Sequence, residues 1–130
     1  MIHRDLKPPN VFLLSDQQIK LGDFGLCKIL ANSDGSKIMD DGLGTLYYRP
    51  PESFKRQEAG FESDVWALGC TIHELVTLKK TFKGPENTIL DVKRRVFSCF
   101  PCRLPQRYNR ELRYVVAQMT KKVSSERPTA

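Results

Sequence analysis

The sequence predicts a mainly α domain of the α+β kind, in which helices carry the core and a small β hairpin stands near the N-terminus. Three observations carry that prediction. Val65 to Val76 is an apolar run, hydrophobic on nearly every face, as a helix buried on all sides requires. Two later stretches, at about 87–98 and 109–121, have the apolar spacing of amphipathic helices. Val11-Phe12-Leu13-Leu14 and Gln18-Ile19-Lys20-Leu21 are short β-prone runs on either side of Ser15-Asp16-Gln17, a turn signal.

In chain order the hairpin comes first. From Ala31 to Leu43 the chain is rich in Asn, Ser, Asp and Gly with little periodicity, which predicts a mobile surface loop rather than an element. Ser63-Asp64 then stands where an N-cap would open the apolar helix. Each of the two amphipathic stretches has an Asn at its start, Asn87 and Asn109, able to cap it or turn the chain. No internal repeat and no linker divides the 130 residues, so they read as one unit.

Composition excludes the extremes. Hydrophobic residues make up 40% and charged residues 28% of the chain, ordinary values for a globular domain with a core. No apolar run approaches the roughly 18 residues a membrane span needs, and Met1 to Asn10 lacks the apolar centre of a signal peptide. The expectation is a cytoplasmic or nuclear protein without a membrane partner. Four cysteines are few for a disulfide scaffold. Cys99 and Cys102 form a CxxC, but no second CxxC or His pair stands near to complete a zinc site, so the spacing reads as an accident of a Pro-containing loop. The net charge is +6, and the clusters Lys79-Lys80, Lys93-Arg94-Arg95 and Lys121-Lys122 are short. Aromatics do not interleave with them as a nucleic-acid platform would require, so they read as solvated helix faces.

The chemistry is concentrated near the N-terminus. His3-Arg4-Asp5-Leu6-Lys7-Pro8-Pro9-Asn10 is followed, across the hairpin, by Asp23-Phe24-Gly25. Phosphoryl transfer needs a carboxylate near the incoming hydroxyl, oxygen ligands for a divalent metal and positive charge near the moving phosphoryl group. Asp5 can be that carboxylate, Lys7 the positive charge, and Asn10 and Asp23 the oxygen ligands suited to Mg²⁺. A hairpin between Asn10 and Asp23 returns the chain and brings both to one end. Gly44-Thr45, Pro51-Glu52, Asp64-Val65-Trp66 and Arg127-Pro128 follow in order. Any one of these has a bland explanation; the ordered set does not.

On these motifs the chain resembles the protein kinase family over nearly all of its length, and Lys7 after Asp5 with Gly44-Thr45 ahead of Pro51-Glu52 resembles the serine/threonine branch. A finer similarity is to the NIMA-related (Nek) kinases, through Asn10-Val11-Phe12-Leu13, Lys20 to Gly25, Trp66 to Cys70 and Glu74 to Phe82. The resemblance implies a role for each matching residue. Asp5 is implied as catalytic base, Lys7 as its phosphate-contacting companion, Thr45 as their link, Asn10 and Asp23 as metal ligands for Mg²⁺ or Mn²⁺, and Phe12 as the floor beneath the adenine of ATP. His3, Phe24 and Gly25 are implied as structural members of their motifs, Asp64 as the anchor of the catalytic-loop backbone, and Glu52 and Arg127 as a buried ion pair. Residues 23–52 would be the activation segment.

Arg4, before Asp5, and Lys28, after Asp23-Phe24-Gly25, are implied to await a phosphorylated loop residue. Asp41 stands where Nek-like kinases carry the acceptor, and the expectation is that its carboxylate supplies a permanent negative charge. Ser33, Ser36 and Tyr47 are alternative phosphosites. Pro50 and Leu46 depart from the family's Ala and Pro. The 130 residues hold no Gly-rich phosphate loop and no strand lysine with its helix glutamate, so they are expected to be the C-terminal lobe of a kinase domain, 1–130, inactive alone. The parent would phosphorylate Ser or Thr of protein substrates, without nucleic acid, in the cytoplasm or with nuclear or cytoskeletal association. The alternative is a non-catalytic, pseudokinase-like interaction module.

Overall fold

The computed structural model describes residues 1–27, 45–55, 60–86, 88–98 and 103–129, together with the backbone pairing of 38–39 and 58–59. Strands β1 (Val11–Ser15) and β2 (Gln18–Leu21) form the antiparallel hairpin, with Val11 opposite Leu21 and Leu13 opposite Ile19. Strands β3 (Ile38–Met39) and β4 (Glu58–Ala59) form a second antiparallel pair. Residues 38–39 therefore belong to an element where a loop was expected. The pairing is only two residues long and its partner lies twenty residues on, so no local pattern announces it. Helices α1 (Phe61–Thr77), α2 (Ile89–Ser98) and α3 (Arg110–Met119) follow.

Helix α1 organises the core. Trp66 is buried and stacks on Phe82 with ring centroids 5.4 Å apart and planes 9° from parallel. Val92 and Val96, one turn apart on α2, Val116 of α3 and Leu104 close around it, and Leu6 joins the cluster from the N-terminal segment. The helix is not buried all round, as its apolar run predicts. Val65 to Cys70 lie inside apart from the half-buried Leu68, but Leu75 is 51% exposed, and Leu78, which ends the helix in a left-handed conformation, is 88% exposed.

The start of α1 also differs from expectation. The N-cap is Gly60, with no side-chain cap, and Ser63 and Asp64 lie inside the first turn. Asp64 is free of capping because its carboxylate faces another segment: Oδ2 accepts from the His3 N–H at 2.7 Å and Oδ1 from the Arg4 N–H at 2.9 Å. Asn87 lies outside the described residues, and α2 instead has Thr88 at its start, whose Oγ1 accepts from the Asp91 N–H at 3.1 Å. For α3 the cap is the expected one: Asn109 Oδ1 accepts from the Glu111 N–H at 2.6 Å.

Gly69 marks the crossing of α1 and α3. A Cβ there would stand 2.8 Å from Thr120 Cγ2 and 2.9 Å from Met119 Cβ, distances that backbone shifts must relieve. Gly69→Ala is expected to lower stability by about 1–3 kcal/mol, the usual cost of overpacking, despite alanine's better helix propensity. Urea unfolding of the two chains checks it; an unchanged or raised midpoint would show that the crossing yields freely.

The hairpin leaves its apolar residues bare. The opposed pair Leu13 and Ile19 is 78% and 63% exposed, and Phe12, Leu14 and Leu21 are exposed beside it. A contiguous apolar surface of this kind binds apolar probes and promotes association. Leu13→Lys with Ile19→Thr is expected to lower anilinonaphthalenesulfonate fluorescence severalfold without lowering the unfolding midpoint. Unchanged dye binding would place the accessible apolar surface elsewhere.

Candidate active site

The segment Ile2 to Lys7 is held in an unusual path by its own motif. Arg4 has φ 69°, a conformation that strains a residue with a side chain. The two hydrogen bonds from the backbone of His3 and Arg4 to Asp64 fix that turn to the first turn of α1. His3 braces it from the other side. Its Nδ1 accepts from the Asp5 N–H at 3.4 Å and its Nε2 meets the Gly22 carbonyl at 3.1 Å. One imidazole form, with the proton on Nε2, serves both contacts. Its ring also lies 5.0 Å from that of Phe24, so His3 joins the segment around Asp5 to the residues around Asp23.

Asp5 is buried, yet three donors converge on its carboxylate. Lys7 Nζ lies 2.6 Å and Asn10 Nδ2 3.2 Å from Oδ2, while Thr45 Oγ1 donates to Oδ1 at 3.1 Å. Lys7 Nζ also donates to Thr45 Oγ1 at 3.1 Å, closing a triangle across 40 residues of chain. Burial pushes the Asp5 pKa up, but the hydrogen bonds from Lys7 and Thr45, the Lys7 charge and the Asn10 hydrogen bond outweigh it and hold the group below the ordinary carboxylate value. Asp5 is thus an ionised carboxylate at neutral pH. Among the described residues three donors meet a group with about four acceptor positions, which leaves room for one more hydrogen bond.

Asn10 and Asp23 are brought to one end of the hairpin. The Gly22 N–H donates to the Asn10 carbonyl at 2.9 Å, continuing the register beyond Val11 and Leu21, and Asp23 is the next residue. The Asn10 amide nitrogen is turned inward, donating to the Asp5 carbonyl at 2.8 Å, and among the described residues nothing donates to its oxygen. Asp23 has φ 59° and is exposed, its carboxylate accepting, among the described residues, only from the Gly25 N–H at 3.4 Å. A carboxylate and an amide oxygen are hard donors of the kind Mg²⁺ takes when phosphate oxygens and water fill its other positions. The donor set therefore fits that ion. Phe12 is half exposed rather than turned to a core, and its ring covers Gly22, where a Cβ would stand 2.5 Å from Phe12 Cε2.

Beyond Thr45, the buried Tyr48 donates to Glu74 Oε2 at 2.7 Å, anchoring the segment to α1. Burial and this bond to a carboxylate push the Tyr48 phenol far up. Glu52 and Arg127 form a buried, two-pronged ion pair, 2.6 Å from Nη1 to Oε1 and 2.8 Å from Nη2 to Oε2. Lys28 and Asp41, expected to act with Arg4, lie outside the described residues, as do Cys99, Cys102, Ser33 and Ser36. Sequence reasoning missed the Tyr48–Glu74 bond. A Tyr in a segment next to Thr45 and a Glu on an apolar helix were its only signals.

A buried carboxylate braced by Lys and Thr, with two oxygen donors beside it, is the arrangement of groups that phosphoryl transfer calls for. The protein kinase domain model matches residues 1–130, and the chain belongs to the protein kinase family. It is 40% identical to human Serine/threonine-protein kinase Nek2 over 129 residues, covering 99% of this chain and 28% of that protein. To mouse Serine/threonine-protein kinase Nek4 it is 37% identical over 129 residues, 99% of this chain and 16% of that one. The G2-specific protein kinase nimA of Emericella nidulans is 37% identical over 128 residues, 98% of this chain and 18% of its own length. The chain spans less than a third of each of these relatives.

Proposed function

We propose that residues 1–130 are the C-terminal, catalytic-loop-bearing lobe of a serine/threonine protein kinase, with 23–52 as its activation segment. The reaction moves the γ-phosphoryl of ATP to a Ser or Thr hydroxyl of a protein. The closed triangle of Asp5, Lys7 and Thr45 carries this reading. A carboxylate kept ionised, with one acceptor position left, can orient an incoming hydroxyl and take its proton as the new O–P bond forms. Lys7 balances the negative charge that gathers there, and Thr45 fixes both groups relative to the segment that follows. Asn10 Oδ1 and the Asp23 carboxylate would hold Mg²⁺, which when bound with ATP neutralises the phosphate oxygens. Phe12 and the bare hairpin beside it offer an apolar wall to a nucleotide base. The Nek-like relatives support the serine/threonine assignment.

The test is a domain in which these residues follow the N-terminal lobe of human Nek2. With Mg·ATP it is expected to phosphorylate a Ser/Thr peptide, while the 130 residues alone bind Mg·ATP too weakly to be measured at micromolar concentration. Micromolar affinity needs about 8 kcal/mol, more than one wall of a cleft supplies. A joined domain that melts cooperatively and transfers no phosphoryl group would leave the non-catalytic interaction module as the better reading.

A further inference from the structure

Lys79, Lys80 and Lys83, just past α1, and Arg95 of α2 line one hollow of about 620 Å³, with Glu74 and Pro85 on its walls. In the sequence Lys79-Lys80 and Arg95 belong to separate short clusters and Lys83 to neither, with nothing to join them. The fold joins them by two local devices. Leu78 takes a left-handed conformation, φ 57°, and Thr77 Oγ1 accepts from the Lys79 N–H at 3.3 Å, so the chain turns back across the helix end. Gly84 then lies so close to α2 that a Cβ there would collide with Asp91, and Asp91 Oδ2 accepts from the Glu86 N–H at 3.1 Å. Arg95 stands one turn after Asp91 on the same face of α2. The loop and Arg95 therefore share a boundary.

None of the four cations makes an ion pair among the described residues. An adjoining hollow of about 430 Å³ shares Pro85 and Arg95 and adds Arg94, with Asp91 as its acid. Glu74 is the acid of the first hollow, and its Oε2 already accepts from Tyr48. Positive charge is thus in excess on a concave surface, where neighbouring low-dielectric walls strengthen its field. The position of the hollow gives that charge a use. Lys80 Nζ lies 4.2 Å from the centroid of the Tyr47 ring, and Tyr47 is two residues beyond Thr45, which holds Asp5. Tyr48, next in the chain, is bonded to Glu74 on the wall itself.

We propose that this basic hollow docks Asp and Glu side chains of the protein substrate that flank the phosphoacceptor. The inference rests on the kinase reading for what the docked peptide is, and on geometry alone for the preference for acid. Recognition is electrostatic, so it acts on affinity and association rate and weakens with salt.

The binding arm uses the 130-residue chain and 12-residue fluorescent peptides centred on Ser and flanked by Asp, by Ala or by Lys. Anisotropy is expected to give about tenfold tighter binding for the Asp peptide than for the Ala peptide, since three exposed ion pairs contribute about two- to threefold each. Lys80→Gln, Lys83→Gln and Arg95→Gln together should remove the difference, and Lys20→Gln with Arg110→Gln, remote cations, should preserve it. Should the triple variant fail to fold, Lys83→Glu alone is expected to shift preference toward the Lys peptide. Equal binding of the three peptides, or equal loss in the remote control, overturns the proposal. So does a single-stranded oligonucleotide that binds more tightly than the Asp peptide and displaces it, which would make the hollow a nucleic-acid contact. The turnover arm uses the joined domain, in which the ratio of kcat/KM for the Asp and Ala peptides should fall about tenfold in the triple variant. Acid-selective binding without phosphoryl transfer would refute the kinase reading alone, and transfer without acid preference would refute this inference alone.

Discussion

Asp5→Asn in the joined domain is expected to lower kcat by about 10²–10⁴-fold, the range a positioned general base contributes, with the melting temperature near that of the unsubstituted domain. The amide nearly matches the carboxylate in shape but cannot accept a proton from an incoming hydroxyl, and it loses the charge that Lys7 faces at 2.6 Å. A pH profile separates this role from a merely structural one. Because the Asp5 pKa is held below the ordinary value by the hydrogen bonds and charge around it, activity that needs the ionised form should persist as the pH falls to that ordinary value, and disappear only below it. Lys7→Met removes a hydrogen bond and the nearby charge, so the acid limb of kcat should move upward. The same depression makes Asp5 a source of folded-state stability above its unfolded pKa, lost as the pH falls through the folded one. A drop of less than tenfold for Asp5→Asn would mean that the carboxylate only braces the loop.

The legibility of this site in the sequence follows from how far apart its parts lie along the chain. Asp5, Lys7 and Asn10 fall within one short motif, and the hairpin that returns the chain to Asp23 is written in two β-prone runs and a turn. Local reasoning reaches both. Thr45 joins Asp5 across 40 residues, and composition alone gives no reason for that meeting; the family resemblance was needed to name it. Asp64 shows the opposite failure. An acidic residue before an apolar helix reads as a cap on any local rule, and only the distant backbone of His3 and Arg4 turns its carboxylate elsewhere.

Other parts of the fold were illegible for related reasons. The pairing of 38–39 with 58–59 is too short to leave a periodic trace. The basic hollow depends on Gly84 approaching Asp91, a contact between a loop and a helix that makes neighbours of charges read in sequence as separate solvated faces. Helix α1 is less buried than its apolar composition implies, because composition reports what a residue prefers, whereas Leu75 and Leu78 sit where no described segment covers them.

Arg127→Met is expected to cost about 3–5 kcal/mol, the penalty for leaving one member of a buried ion pair uncompensated. The Arg127 side chain is 0% and that of Glu52 9% exposed, so water cannot take the place of the lost partner. Among the described residues Glu52 would keep only the Ser63 hydroxyl at 3.2 Å. The guanidinium also donates to three carbonyls, Lys121 at 2.8 Å, Glu62 at 2.8 Å and Lys122 at 3.4 Å, and its plane lies over Trp66, 5.0 Å from the ring centroid. It ties the last described turn to the start of α1 and to the Pro51–Lys55 segment. Against a typical domain stability of about 5–15 kcal/mol, its loss removes a large share. Arg127→Lys should recover little, because an ammonium cannot repeat the planar fork that meets both carboxylate oxygens. The double variant Glu52→Leu with Arg127→Met is expected to be less destabilised than the sum of the single ones, since it strands no charge, though the three carbonyls still lose their donor. Urea unfolding of the four variants and the parent decides the matter. A loss under about 1 kcal/mol for Arg127→Met, the size of an exposed pair, would show that water reaches Glu52 and that the pair does not hold this end of the domain together.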